Sequence, residues 1–260
     1  MTNGTGTLDP GVVCIFGPPG TLKTSIGFTW PGKIKVFDTD LGAHRGWEYH
    51  KLIESQHIDI SRVTTPEKPF TSRYSPLIGY LEVWESLKRE FFNVCDSSEY
   101  SALMIDTSTL VWRLVQDAYL QELQSTSKDE RTRLQQWEFG KPNDGMRNLF
   151  DQAKIHHKWL ILIHHESDEY EPKLIDGKPV MNSDGNPVSI PTGRKIPDGF
   201  KYTRGLSDWI FRTRVDENGD ILSPKAKIIK SAKGIDLVGQ DMDWFTFEML
   251  EKHLRMIERI

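Results

Sequence analysis

The chain has 260 residues and a net charge of −4, from 33 basic and 37 acidic side chains. This length is near the limit of about 250–300 residues for one hydrophobic core, so it predicts one domain with insertions. Hydrophobic residues make up 37% of the chain, which excludes wholesale disorder. The net acidity also excludes long-range attraction of polyanions by the average surface, so any nucleic-acid contact has to come from a local patch.

Cysteine content and the N-terminal sequence indicate the compartment. Cys14 and Cys95 are the only cysteines, and Cys14 lies in an apolar run, so a disulfide framework is not expected. Residues 1–10 have neither the basic patch nor the apolar core of a targeting peptide. No run reaches the roughly 18 apolar residues that a membrane span needs. We therefore expect a cytoplasmic protein without a membrane partner.

Short apolar runs alternate with longer amphipathic segments along the chain. The runs predict strands at 12–16, 34–37, 102–105, 159–163, 209–215 and 226–229. The amphipathic segments predict helices at 23–29, 77–96, 109–124 and 144–157. Strands that are apolar throughout are typical of a mainly parallel sheet with helices on both faces. The fold class expected is therefore α/β.

One segment, at 170–202, breaks this alternation. It contains the turn sequences DGKP and DGNP with short extended pieces between them, which predicts an inserted hairpin or flap. We expect a flexible N-terminus at 1–10, one domain at 11–235 that contains the flap, and a C-terminal segment at 236–260 that packs on the core or on a neighbour. The charged stretch at 125–133 predicts a solvated helix end or a loop.

The segment VVCIFGPPGTLKTS at 12–25 has the order of a phosphate-binding loop: an apolar strand, a Gly- and Pro-rich turn, and a helix that opens on Lys-Thr-Ser. A helix N-terminus offers N–H donors and a favourable dipole to phosphate. Lys23 is expected to reach the β- and γ-phosphates of ATP, and Thr24 to ligate magnesium. The nucleotide-binding set predicted is Gly17, Pro18, Pro19, Gly20, Thr21, Leu22, Lys23, Thr24 and Ser25. Leu22 stands where the usual pattern has glycine.

Acidic residues that end two later strands are candidates to complete such a site. YSALMIDTST at 100–109 places Asp106 at a strand end, where a carboxylate can hold magnesium through its water shell. No Glu follows Asp106, so the carboxylate that orients the attacking water has to come from elsewhere. KIKVFDTDLGAH at 33–44 offers Asp40 as this base. The alternative for Asp40 is a capping residue at a turn.

Taken together, these motifs resemble those of the RecA-like ATPases. The loop, the acidic pair after the second strand, the IDTST motif and the later strand WLILIHHE are similar to the small phage-type members, including the Sak-type single-strand annealing proteins. The resemblance covers about 11–235. It implies a RecA-like P-loop core that hydrolyses ATP with magnesium and acts on single-stranded DNA in phage recombination, annealing or replication. It further implies a homo-oligomeric ring or filament in the host cytoplasm, with a single-strand binding protein as a further candidate partner.

The resemblance also implies roles for single residues. Asp40 would match the residue that activates water, and because that residue is usually Glu, hydrolysis is expected to be slow or DNA-stimulated. His165, preferred over His164, would match the residue that senses the γ-phosphate; the alternative is a pair of hydrogen-bonded histidines at a strand end. Lys230 and Lys233, in KAKIIKSAKG, would match a basic finger offered to the nucleotide of a neighbouring subunit. Their alternative is a solvated basic edge.

In the RecA-like arrangement, the loops after the third and fourth core strands face nucleic acid, here at 125–144 and in the flap. Basic groups with interspersed aromatic rings suit single strands, because charges track phosphates while rings stack on bases. Tyr170, Phe200 and Tyr202 would supply the rings, although Asp176, Asp184 and Asp198 dilute the charge. The nucleic-acid residues predicted are Lys173, Lys178, Arg194, Lys195, Lys201 and Arg204.

Two other functions stay open at this point. Leu22 and the missing Glu after Asp106 favour a nucleotide-gated DNA- or protein-binding module with little catalysis. A P-loop kinase shares the loop, but it usually needs an Arg-rich lid, and the flap is longer and more mixed in charge than such a lid. A metal site independent of nucleotide is not expected, because the adjacent histidines point in different directions and cysteine spacing typical of zinc is absent.

Overall fold

A computed structural model describes residues 8–43, 57–67, 76–126, 130–183, 185–214 and 225–257. Several predicted features fall partly outside these residues. They are 1–7 of the N-terminus, His44 after the second strand, 127–129 of the charged stretch, Asp184 of the flap, Val215 at the end of a strand, and 258–260 of the C-terminal segment.

The strands are β1 (Val12–Phe16), β2 (Ile34–Asp38), β3 (Ile58–Arg62), β4 (Ala102–Asp106), β5 (Trp159–His164), β6 (Glu166–Pro172), β7 (Leu174–Ile175), β8 (Lys178–Pro179), β9 (Ser189–Pro197), β10 (Trp209–Arg214), β11 (Lys225–Lys230) and β12 (Asp241–Met242). Within the described residues, the main sheet has eight strands in the order β12-β11-β10-β1-β5-β4-β2-β3. Pairing is parallel from β10 to β3 and antiparallel at β11 and β12. The sheet is therefore mainly parallel, as predicted.

The helices are α1 (Lys23–Gly27), α2 (Tyr80–Asp96), α3 (Ser108–Thr126), α4 (Gly140–Ile155), α5 (Thr203–Leu206) and α6 (Phe247–Ile257), with short 3-10 turns at Gln136–Phe139 and Ile235–Leu237. Alternate residues of the central strands point to opposite faces of the sheet. Along β4, Met104 packs into the core that includes α1 and α6, whereas Leu103 packs into the core that includes α2, α3 and α4. This confirms the predicted α/β class.

The strand β3 and the start of helix α4 differ from the sequence prediction. β3 was not predicted, because in Ile58–Arg62 only Ile58 is buried, and a short strand at a sheet edge gives a weak apolar signal. Helix α4 begins at Gly140 rather than at Asp144. Its first turn contains Pro142, which a helix tolerates there because the N–H groups of the first turn have no acceptor within the helix, so the N–H that proline lacks is not missed. The sequence GKPN therefore resembles a turn although it begins a helix.

The segment predicted as a flap is a β-hairpin outside the main sheet. β6 pairs with β9 in antiparallel fashion, and the shorter β7 and β8 pair beyond them. Asp176 and Gly177 connect β7 and β8 with φ of 51° and 75°, the left-handed pair of a tight hairpin turn. The hairpin begins at Glu166, directly after β5, so it starts closer to the core than expected.

The C-terminal segment packs on the core of its own chain. In α6, the ring of Phe247 lies 5.4 Å from that of Trp30 and 5.8 Å from that of Trp159, between centroids. Ahead of the helix, Phe245 lies 4.5 Å from Phe211 of β10. These aromatic contacts cover the face of the sheet that the five-residue helix α1 is too short to cover.

Candidate functional site

The candidate site is a cleft at the edge of the sheet where the parallel strands β1, β2, β4 and β5 end. Ligands of open α/β sheets bind at this edge, because the loops that follow the strands converge there. The cleft has a volume of about 290 Å³ and is lined by Pro19, Gly20, Thr21, Leu22, Lys23, Thr24, Ser25, Asp40, Asp106, Thr107, Ile163 and His165. The predicted nucleotide-binding residues from Pro19 onward thus lie together with both predicted carboxylates.

The glycine-rich loop (17–25) wraps around the side chain of Lys23. Its Nζ donates hydrogen bonds to the carbonyl oxygens of Gly17, at 3.0 Å, and Pro18, at 2.6 Å. Burial lowers the pKa of Lys23, while Asp106, Glu166 and Asp40 act in the opposite direction. The ammonium group has therefore lost part of its hydration, and an anion in the loop would compensate for that loss.

A second contact holds the loop against β10. The Thr21 and Thr213 hydroxyl oxygens are 2.6 Å apart, and Thr213 Oγ1 donates to the carbonyl oxygen of Phe16 at 3.2 Å. A Cβ atom at Gly17 would lie 2.3 Å from Thr213 Oγ1 and 2.6 Å from its carbonyl oxygen. Only glycine permits this approach. The start of the loop is thus fixed to a strand almost 200 residues away in sequence.

The backbone conformation of Leu22 explains why glycine usually occupies this position of a phosphate-binding loop. Its φ and ψ are 59° and 25°, in the left-handed region, where a β-carbon costs roughly 1–2 kcal/mol. Helix α1 then starts at Lys23 and ends at Gly27, shorter than the predicted 23–29. A helix of this length contributes little macrodipole, so phosphate binding by the loop would depend on its N–H groups and on Lys23.

Thr24 and Asp106 form the part of the cleft that fits a magnesium ion. Thr24 Oγ1 donates to Asp106 Oδ2 at 2.7 Å, so a hydroxyl and a carboxylate oxygen lie side by side, as magnesium ligands or their waters require. The pKa of Asp106 is raised to about 6, mainly by burial and also by the nearby carboxylates of Asp38 and Asp40, against the effects of Thr24 and Lys23. A divalent cation would relieve this unfavourable ionisation.

The two acidic residues after β2 have separate roles. Asp38 is fully buried and accepts hydrogen bonds from the backbone N–H groups of Gly42, at 3.3 Å, and Ala43, at 3.2 Å. It therefore fixes the turn after β2. Asp40 is exposed and lines the cleft. Asp38, and not Asp40, is therefore the residue whose side chain accepts hydrogen bonds from the turn, and Asp40 faces the cleft.

The two histidines at the end of β5 have different surroundings. His165 lines the cleft. His164 is fully buried, and its Nδ1 lies 2.8 Å from the carbonyl oxygen of Asp198. Burial lowers the pKa of His164 to about 4, so the ring is neutral and Nδ1 carries the proton that this hydrogen bond needs. The placement supports His165 as the residue that could contact a ligand.

Thr109 and Asp198 connect His165 to the end of the hairpin. The backbone N–H of His165 donates to Thr109 Oγ1 at 3.2 Å, and this hydroxyl donates to the carbonyl oxygen of Asp198 at 2.9 Å. The N–H of Asp198 in turn donates to the carbonyl oxygen of His165 at 2.8 Å. The strand that leaves the cleft and the strand that returns from the hairpin are therefore fixed to each other.

Lys230 and Lys233, the predicted basic finger, lie away from the cleft lining. Lys230 Nζ donates to the carbonyl oxygens of Arg204, at 3.1 Å, Gly205, at 3.2 Å, and Ser207, at 2.5 Å. It therefore caps the end of α5 within its own chain. Lys233 is exposed in the turn after β11, which makes it the more accessible of the two.

The hairpin neutralises several of the predicted nucleic-acid residues. Arg194 and Arg204 both pair with Glu169, at 2.5 and 2.8 Å, and Lys195 pairs with Asp168 at 2.9 Å. Lys173 and Lys178 are exposed near the hairpin tip and Lys201 at its exit. The sequence pattern did not show that acidic residues of β6 pair with three of these cations, and nucleic-acid binding by the others stays a prediction.

The predicted role of Phe200 as a stacking ring is wrong. Phe200 is 2% exposed, and its ring packs against Trp112 and Phe150 with centroids 5.3 and 5.9 Å apart. It belongs to the core between α3 and α4, so it is inaccessible to a base. Tyr170, at 60% exposure, and Tyr202, half-buried, remain on the surface.

Two residues of the site region were not predicted. Thr213 fixes the loop from a strand whose other inward-facing residues are apolar, and Glu166 is bonded to Arg212 at 3.1 Å beside the cleft. Each of the two is bonded to a partner that lies more than 40 residues away in sequence. The sequence signals only Thr213, as a polar residue inside a largely apolar strand, and that signal does not identify the partner; Glu166 lies among other polar residues of β6 and gives no signal.

Comparison with known proteins assigns no family to the chain, because no protein-family model matches it and no curated protein matches it significantly.

Within the described residues, no cluster of three or more His, Cys, Asp or Glu side chains is arranged to hold a metal ion by itself. None of the helices in those parts of the chain is both long and apolar enough to cross a membrane.

Leu22→Gly should stabilise the protein. Glycine adopts left-handed φ without a steric penalty but loses more entropy on folding, so we expect a net gain of roughly 0.5–1 kcal/mol in the free energy of unfolding. Urea denaturation measures this. Leu22→Ala is the matched control, because it also removes the side chain but keeps the strained β-carbon. Equal stability changes in the two variants would contradict the assignment of strain to the backbone.

Thr213→Val should loosen the glycine-rich loop without changing the shape of β10. The substitution removes both hydroxyl hydrogen bonds, each worth about 0.5–1.5 kcal/mol. Hydrogen exchange of the amides at 17–25 should therefore become about tenfold faster, since about 1.4 kcal/mol corresponds to that factor. Thr213→Ser keeps the hydroxyl and should exchange like the wild type. Unchanged exchange in the valine variant would show that the loop does not depend on Thr213.

Asp106→Asn should stabilise the free protein at pH 8 and not at pH 3. The folded pKa of Asp106 is raised from 3.8 to about 6, so the folded state loses stability as the pH rises through this window and the buried carboxyl ionises. A shift of this size corresponds to up to about 3 kcal/mol, which a neutral amide avoids. Denaturation at both pH values measures the difference. Asp40→Asn, at an exposed position of the same cleft, is the control and should be near neutral at both.

Proposed function

We propose that the protein is a magnesium-dependent ATPase with a RecA-like P-loop core. The observation that carries the proposal is the convergence of Lys23, Thr24 and Asp106 in one cleft, at the sheet edge where α/β proteins bind ligands. Two distant segments of sequence meet there with the groups that phosphoryl transfer requires: a cation and a hydroxyl from the loop, and a carboxylate from the end of β4.

In this proposal each residue of the cleft has one task. Lys23 exchanges the carbonyl oxygens of Gly17 and Pro18 for phosphate oxygens and offsets their negative charge. Thr24 and Asp106 would hold a magnesium ion, which would neutralise charge on the phosphates. Asp40 orients the attacking water from the exposed side of the cleft. His165 contacts the terminal phosphate.

The strand order supports a RecA-like assignment. β5 lies between β1, which carries the loop, and β4, which ends in Asp106. His165 follows β5 directly, so it is positioned between Lys23 and Asp106. The order of motifs along the chain and their meeting at one edge are what the resemblance to RecA-like ATPases implies. Action on single-stranded DNA, in a ring or filament, is part of this proposal and rests on that resemblance.

The alternative is a nucleotide-gated binding module with little catalysis. Two observations favour it: the strained backbone at Leu22, and the exposure of Asp40, whose side chain is one methylene shorter than that of the usual Glu. A base that is weakly fixed orients water poorly. Tight ATP binding with negligible phosphate release over hours would support the module over the ATPase.

Lys23→Ala should abolish ATP turnover. Removing the loop cation takes away charge stabilisation worth at least about 2.7–4 kcal/mol in comparable sites, or a factor of about 100–1,000 in rate. Phosphate release with magnesium and ATP measures this. Lys252→Ala, which removes an exposed lysine of α6, is the control and should keep the wild-type rate. A wild-type protein that retains no ATP at millimolar concentration would overturn the proposal.

The same assay with and without a single-stranded oligonucleotide tests the DNA-linked part. We expect the oligonucleotide to raise the rate of phosphate release, because the exposed Lys173, Lys178 and Lys201 would order the strand beside the hairpin. Equal rates in both conditions would remove DNA from the proposal and leave the nucleotide chemistry in place.

A further inference from the structure

The side chain of His165 lines the cleft, but its direction depends on the backbone that carries it. Within the described residues, the imidazole ring makes no hydrogen bond, whereas the backbone N–H and carbonyl groups of His165 are bonded to Thr109 and Asp198. A group that contacts a phosphate during reaction needs a defined direction, because a small displacement lowers the rate strongly. The attachments of the backbone around His165 are therefore relevant to the proposed reaction.

The next residue, Glu166, gives this backbone a further attachment. Glu166 Oε2 accepts a hydrogen bond from Nε of Arg212 at 3.1 Å. The two side chains are 15% and 37% exposed, so the ion pair is partly shielded from water and is screened less than a pair on the open surface. Because the pair acts on the residue next to His165, it restrains rotation of the backbone that carries the ring.

Arg212 belongs to the strand that also holds the glycine-rich loop. It lies on β10 opposite Phe16 of β1, the residue before Gly17. The next residue, Thr213, bonds to the loop through its hydroxyl. The ion pair between Glu166 and Arg212 therefore connects the backbone of His165 to the same strand that fixes the loop around Lys23. Such a connection keeps the ring and the loop at a constant separation, as contact with one nucleotide requires.

Glu166 also acts on the cleft through its charge. Burial lowers the pKa of Lys23, and Asp106, Glu166 and Asp40 oppose this effect, in that order of size. The carboxylate of Glu166 thus affects Lys23 more strongly than that of Asp40 does, although Asp40 lines the cleft and Glu166 does not. A negative charge near the loop disfavours a bound polyanion, and the positive charge of Arg212 compensates for it.

We propose that Glu166, through its ion pair with Arg212, is a positioning residue that directs the ring of His165 toward the terminal phosphate. The inference rests on the proposed ATPase function and adds to it the residues that hold His165 in place. Glu166 and Arg212 act through His165 and do not contact the nucleotide. Because the two carry opposite charges near Lys23, each also changes the affinity for ATP in its own direction.

Glu166→Ala and Arg212→Ala should have the same effect on turnover and opposite effects on ATP binding. Each breaks the ion pair, so each should lower kcat by about tenfold. Glu166→Ala removes a negative charge near Lys23 and should tighten ATP binding by about threefold, whereas Arg212→Ala leaves that charge unpaired and should weaken binding by about threefold. Phosphate release and equilibrium dialysis with ATP measure the two quantities. A shift of ATP affinity in the same direction in both variants would contradict the inference.

Two further variants separate positioning from a general loss of structure. In Glu166→Gln, the amide oxygen still accepts the bond from Arg212, so kcat should stay near that of the wild type while ATP binding tightens. The double variant Glu166→Ala with Arg212→Ala should lower kcat no further than either single variant, because both changes remove one interaction. Losses that multiply in the double variant would show that the two residues act separately.

Glu169→Ala is the matched control. Glu169 lies three residues further along β6 and pairs with Arg194 and Arg204, so its removal loosens the hairpin without breaking the attachment next to His165. Measured without DNA, its kcat and ATP affinity should equal those of the wild type. A loss of turnover as large as that of Glu166→Ala would show that any loosening of the hairpin is sufficient, and would overturn the positioning role.

Hydrogen exchange of the free protein tests the attachment without nucleotide. The amides of His165 and Asp198 are hydrogen-bonded at this junction. They should exchange about tenfold faster in Glu166→Ala and Arg212→Ala and should be unchanged in Glu169→Ala. Unchanged exchange in the first two variants would overturn the inference even in a protein that hydrolyses ATP. Faster exchange in a protein without turnover would overturn the proposed ATPase and support the attachment of His165 through Glu166.

Discussion

The contact between Gly17 and Thr213 is the constraint on which the cleft depends. A glycine-rich loop has many accessible backbone states, and a binding site needs one of them. Here the loop approaches β10 so closely that no side chain fits at Gly17, and the hydroxyls of Thr21 and Thr213 close the contact. The loop is thereby fixed to the same sheet that carries Asp106. The distances among the groups of the cleft are set by the sheet and not by the loop itself.

In the free protein, the buried charged groups of the cleft are electrostatically unfavourable. Burial disfavours the charge on both Lys23 and Asp106, and Asp38 adds a second buried carboxylate next to Asp106. Hydrogen bonds within the chain compensate part of this cost: Lys23 bonds to loop carbonyls and Asp106 accepts from Thr24. A ligand that brings both anionic oxygens and a divalent cation satisfies both groups at once. For this reason, the metal-bound polyphosphate that we propose as the ligand would suit the cleft better than either component alone.

Much of the fold could be predicted from the sequence, because the central strands are apolar on both faces and therefore give a strong signal. The loop and Asp106 could also be predicted, since each lies within a local motif. The role of Thr213 could not, because its partner is distant in sequence and only the sheet order brings them together. The same limit explains Phe200: an aromatic residue beside lysines resembles a stacking ring, and only the packing with Trp112 shows that it is core.

Only one residue connects the cleft to the hairpin, so the two cannot move independently at this point. His165 lines the cleft and Glu166 begins β6, so no flexible linker separates them. Glu166 is bonded to Arg212, the neighbour of Thr213, and Asp198 bonds back to His165. Both ends of the hairpin are therefore fixed to residues that border the cleft. A ligand that displaced His165 would therefore act on the base of the hairpin directly, without a flexible segment between them to absorb the change.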